Sequence, residues 1–212
     1  MKHLLITSFV LGLFVFAGGS ETIWAKPITK EERKAAVKYL KHTQKLFRDA
    51  VKGLNEEQLK WKAAPDKWSV FEVSEHITLA EVFLFDLVNG GVMKSAADPK
   101  KTTTITMDLI TQKVTDRSSK FQAPEPIKPD KSPWTTMDAT MDAFKERREN
   151  TLKFVSKGND DMRERFMMNP AFNAELDAYL WIAFLSAHTE RHVKQIEEVK
   201  ANANFPKKKG GY

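Results

Sequence analysis

Cysteine is absent from the 212 residues. That excludes disulfides, thiolate-held zinc, iron–sulfur clusters, a thiol nucleophile and a lipidated N-terminal cysteine, so any metal must be held by histidine or carboxylate. Glycine and proline are sparse, nine of each, which rules out collagen-like and linker-dominated chains. Charge of one sign is also scarce: 34 basic against 28 acidic residues leave +6, part of it in Lys207, Lys208 and Lys209. This is no nucleic-acid footprint, and no nucleic-acid partner is expected. GxSxG, GxxxxGK[ST] and GxGxxG are missing, so serine-hydrolase, P-loop and dinucleotide-binding readings lack support. The length suits one well-buried domain.

The one uncharged apolar run near an end spans residues 4–17, behind Lys2. As a helix it would rise about 21 Å, short of the roughly 30 Å hydrocarbon core. Small residues follow at Ala17, Gly18, Gly19 and Ser20. The pattern is that of a secretory signal over residues 1–20, with cleavage as late as Ala25, and it places the mature chain in the periplasm or outside the cell. No other run of membrane length is read, so no stable span is expected after cleavage.

Past the signal the chain reads as helices. Thr29 and Glu32 form a capping box, followed by a face of Val37, Leu40, Gln44, Phe47 and Val51 that ends at Gly53. A short capped turn at 55–58 and a break at Pro65 come next. Ser69 and Glu72 open a second helix with an inner stripe of Val73, His76, Ile77, Ala80, Phe83, Leu84 and Leu87, stopped by Gly90 and Gly91. Residues 106–119 read as a middle helix, and Pro124, Pro126, Pro129 and Pro133 impose an extended crossover. A third helix from Thr135 or Thr136 carries Met137, Met141, Phe144, Arg148, Leu152 and Val155. Met167, Met168, Asn169 and Pro170 read as a turn. The fourth helix is expected from about Asn173 to Ala201, with Leu176, Leu180, Phe184, His188, His192, Ile196 and Val199 inward. No strand alternation is read. The expectation is an all-α four-helix bundle over residues 29–201, with a long crossover between the second and third helices and a basic tail at 202–212. A connection that long implies that the helices it joins are not simple up-down neighbours.

Histidine carries the chemistry. His3 lies in the signal and His42 sits about 200° from Leu40, off the apolar face. His188 and His192, four apart, share one helix face, and His76 falls on the inner stripe of the second helix. Imidazoles on a buried stripe are costly without a partner. Three from two facing helices suit one divalent ion with a position left for water or substrate. Zincin chemistry is excluded, since Glu190 follows His188 by two residues and so lies about 200° around the helix. Glu72 is a candidate acceptor behind His76, although its capping role already explains it. Glu75 reads as a solvated neighbour. Trp61, Trp68, Trp134 and Trp181 are pocket or core candidates. Arg148 and Arg191 lie near inner stripes, suited to an anion clamp or to a buried ion pair.

The stretch 59–77, with Trp68, Ser69, Glu72 and His76, resembles the second-helix entry of DinB-like (DinB/YfiT) proteins. The crossover from Asp116 and Arg117 to Pro124 and Pro126 is similar to theirs, as is the HxxxH segment 188–196. The resemblance implies a four-helix bundle of unusual connectivity. It also implies a three-histidine site for zinc, nickel or a similar ion, filled here by His76, His188 and His192. Activities in that family include thiol-dependent S-transfer, isomerisation and metal-dependent hydrolysis. Export away from cytosolic thiols favours a hydrolase acting on a small molecule of unspecified structure, with S-transfer or a non-catalytic binding module as alternatives. A homodimer is left open.

Overall fold

The computed structural model describes residues 27–158 and 160–207; the signal segment and the last lysines lie outside them. The described residues form six α-helices and one hairpin: α1 (Lys30–Val51), α2 (Glu56–Lys60), α3 (Val70–Gly90), α4 (Met107–Thr115), α5 (Met137–Lys157), β1 (Phe166–Asn169), β2 (Ala174–Asp177) and α6 (Ala178–Lys200). The first, second, third and fourth helices expected from sequence are α1, α3, α5 and α6, and together they make a four-helix bundle.

Both long capping boxes exist. Thr29 and Ser69 accept from the backbone of Glu32 and Glu72, whose carboxylates return to the caps. Each box satisfies two amide groups that the first turn would leave unpaired. Past α1, Gly53 takes a left-handed φ of 72°, which glycine adopts without Cβ strain.

The helices pack as a ring in which α1 touches α5 and α6, and α3 touches the same two. Thr78 reaches Thr140, Glu81 reaches Arg148, and Phe85 meets Phe154, so α3 and α5 climb in the same direction. Likewise Tyr39 meets Glu190 and Ala50 meets Lys200, so α1 and α6 are parallel. Phe47 against Phe144 and Arg33 against the Val155 carbonyl make α1 and α5 antiparallel. Parallel neighbours cannot be joined by a short turn. The long crossover between α3 and α5 follows from that geometry. On its way it forms α4, which packs against α6.

Three features depart from the sequence reading. First, β1 and β2 pair antiparallel, Phe166 opposite Asp177 and Asn169 opposite Ala174. The last helix therefore begins at Ala178 rather than near Asn173, and Leu176 is buried on a strand. Four-residue strands are too short for period-two alternation to show. Asn173, at φ 47°, turns the hairpin, and Asp177 caps α6 through the Leu180 amide. Second, residues 202–207 fold back rather than leaving as a tail: Phe205 meets the Trp61 ring edge-on and Gln58 donates to the Pro206 carbonyl. Third, the segment Val70–Lys94 reaches a length and mean hydropathy (1.3) that would span a bilayer. It is a core helix, and it buries Glu75, His76 and Glu81.

Candidate metal centre

The His76, His188 and His192 side chains converge. One nitrogen from each lies within 4.8 Å of one from each of the others, from three positions set by α3 and α6 alone. The 3.6-residue period stacks His188 and His192 on one face of α6, ring centroids 4.5 Å apart. The antiparallel crossing of α3 brings His76 to 4.4 Å from His192 and 5.1 Å from His188. His76 is 2% exposed and His192 9%, while His188 is half-buried.

The orientation of the rings decides what the cluster can hold. Nδ1 of His76 donates to the Ile127 carbonyl at 2.7 Å, and Nδ1 of His192 donates to Gln195 Oε1 at 2.8 Å. A carbonyl can only accept, so the proton sits on Nδ1 and the Nε2 lone pair is left inward. The two Nε2 atoms are 3.1 Å apart. With both Nδ1 protonated this contact joins two acceptors, and it is repulsive unless a cation lies between them. Two nitrogens each about 2.1 Å from a shared ion fall at about this spacing. The residues present fit a divalent metal.

Burial holds the His76 imidazole below its ordinary range, partly offset by its bond to Ile127. His188 and His192 are pushed well below it by burial, and the neighbouring imidazoles add to the shift. All three are neutral at pH 7, the form that ligates. The same shifts set an acid limit. Between the unfolded pKa of about 6.5 and the depressed folded values, the unfolded chain binds more protons than the folded one. The metal-free protein is therefore expected to lose stability as pH falls below about 6.5. Denaturant titrations at stepped pH check this, and a His188→Ala, His192→Ala double variant should flatten the slope.

The other sequence candidates are placed as follows. Glu72 is held by its cap and by Lys62 at 2.9 Å. Glu75 is not solvated: it is 7% exposed, burial raises its carboxyl above the usual range, and Ser132 bonds to it. Arg148 is wholly buried in an ion pair with Glu81, one of the two arrangements left open from sequence, and does not clamp an anion. Arg191 donates to the carbonyls of Val114, Asp116 and Ser119, which ties the start of the crossover to α6. Glu190 takes the Tyr39 hydroxyl at 2.8 Å on the α1 side, away from the histidines. His42 is exposed. Among the described tryptophans only Trp68 adjoins the cluster, 4.9 Å from His76, while Trp181 is core and Trp61 holds Phe205. Phe184, one turn before His188, flanks the other end.

Two supporting groups were not legible as such. The Ile127 carbonyl is backbone and leaves no mark in sequence. Gln195 is three residues after His192 on the same face, a spacing that could have been read as support. Its replacement in Gln195→Leu is expected to weaken metal affinity about 10–100-fold with the helical fold intact, measured by competition against a chelating dye.

Three neutral imidazoles from two helices, two of them backed by an acceptor, define a helical-bundle protein with a three-histidine cluster suited to one divalent ion. A sequence model of the DinB superfamily matches residues 39–196, and the chain belongs to that family. It is 28% identical over 156 residues to YuaE, an uncharacterised protein of Bacillus subtilis, covering 71% of this chain and 88% of that one. The fold is similar to YfiT from Bacillus subtilis at a TM-score of 0.54 and 12% identity, covering 82% of this chain and 88% of that one. YfiT is described as a probable metal-dependent hydrolase with an unusual four-helix bundle topology.

Proposed function

We propose that this protein is an exported metal-dependent hydrolase of small molecules. The observation that carries it is the 3.1 Å approach of two imidazole acceptors whose protons are committed elsewhere. His76, His188 and His192 hold one divalent ion, zinc or nickel by the imidazole donor set. Such an ion supplies Lewis acidity towards a substrate oxygen and makes water a competent nucleophile near neutral pH. The Ile127 carbonyl and Gln195 fix the rings of His76 and His192. Trp68 and Phe184 flank the histidines with apolar surface, and Arg148 and Arg191 are engaged elsewhere. The site therefore favours substrates without a strong negative charge. The uncharged run at residues 4–17 supports export, and export supports hydrolysis over thiol transfer.

Metal analysis of untagged protein tests the reading, with about one divalent ion per chain expected. Metal-dependent turnover of an ester, amide or lactone panel should disappear in His188→Ala. Full occupancy in that variant would overturn the site, and thiol consumption with an electrophile in place of hydrolysis would overturn the reaction.

A further inference from the structure

The face of α1 turned away from the core is cationic along its whole length. At about 100° per residue, Lys30, Lys34, Lys38, Lys41, Lys45 and Arg48 fall within an arc of about 80°. All six are exposed, and exposed Lys52 continues the row past the helix end. The row spans about 33 Å. The buried residues Leu40, Thr43 and Phe47 occupy the opposite side. No acidic side chain lies inside the arc. Glu31 and Asp49 flank it, and Asp49 pairs with both Lys45 and Arg48. Among the described residues, Lys30, Lys34, Lys38, Lys41 and Lys52 have no acidic partner.

Like charges three and four residues apart weaken a helix, and among the described residues no acidic partner offsets that at Lys30, Lys34, Lys38 and Lys41. An ordinary solvated face mixes its signs, as α5 does with Asp138, Asp142, Lys145, Glu146, Glu149 and Lys153. We propose that this face of α1 binds the headgroups of an anionic phospholipid bilayer. A straight row of cations matches a plane better than it matches the winding phosphate path of a duplex. No exposed aromatic residue lies between the cations to stack on bases. Headgroup attraction is additive and salt-sensitive, about fivefold per cation close to the surface.

The test is co-sedimentation of the full chain with vesicles of phosphatidylcholine, with and without phosphatidylglycerol. Phosphatidylglycerol should strengthen binding, and high salt should reverse the gain. The variant Lys34→Gln, Lys38→Gln, Lys41→Gln, Lys45→Gln should lose at least about 50-fold of that gain. Equal charge removal at Lys120, Lys145, Lys153 and Lys157 should lose less than about fivefold. Extending the row with Glu31→Lys should tighten binding, a gain that a misfolded variant would not give. Binding indifferent to phosphatidylglycerol, or equal losses in the two quadruple variants, would overturn the proposal. So would tighter binding to duplex DNA than to anionic vesicles at matched phosphate.

Discussion

Arg148→Met is expected to destabilise the protein by about 3–5 kcal/mol, read as a lower denaturant midpoint at unchanged slope. The guanidinium is wholly buried, and each of its five N–H groups has an acceptor. Nε and Nη2 donate to Glu81 at 2.9 and 2.7 Å. Nη1 donates to the Leu40 carbonyl at 2.6 Å and to Thr43 at 2.7 Å, and Nη2 also reaches Thr189 at 3.0 Å. Thr151 donates to the same carboxylate at 2.8 Å. One cation thus joins α5 to α1, α3 and α6. Removing it strands the Glu81 carboxylate in the core, where an unpaired charge is far costlier than the pair is beneficial. The double variant Glu81→Leu, Arg148→Met should recover most of the loss, because it removes both charges. A single variant costing less than about 1 kcal/mol would mean that water reaches Glu81.

His76→Ala should change stability in opposite directions with and without metal. In metal-replete buffer the wild type gains about 4 kcal/mol when free metal is a thousandfold above its dissociation constant. The variant keeps two of three ligands and should lose nearly all of that gain. Affinity should fall by more than the 10–100-fold expected from losing a supporting hydrogen bond. In chelator the sign reverses. The wild type then holds the Nε2 atoms of His76 and His192 at 3.1 Å with no cation between them, and removing one relieves that contact. Thermal unfolding of both proteins with metal and with chelator measures the crossing. Exposed His42, substituted by alanine, should show neither effect. If His76→Ala were equally destabilised in both buffers, the ring would be a packing element and not a ligand.

The four long helices were legible because each writes its own signal locally. Thr29 with Glu32 and Ser69 with Glu72 mark starts, and a stripe at 3.6-residue period marks the inner face. The hairpin was not. Its two strands hold four residues each, and β2 runs straight into the capping Asp177, so Leu176 extends the helical stripe of α6 by coincidence of spacing. Glu75 was misread for a related reason. It is a carboxylate beside a stripe position, and its burial comes from the crossover lying over it, which α3 cannot reveal alone. Arg148 was legible as a buried cation but not as to its role, since its partner Glu81 lies 67 residues away on another helix.

From sequence alone came the helices, their buried faces and the three histidines suited to one ion, because periodicity and ligand chemistry are properties of short stretches. Tertiary structure decided which helices run parallel. It also decided that His76 meets His192 edge to face, that Ile127 and Gln195 hold the two Nδ1 protons, and that Arg148 belongs to Glu81. These depend on segments far apart in the chain, and only packing fixes their distance and direction.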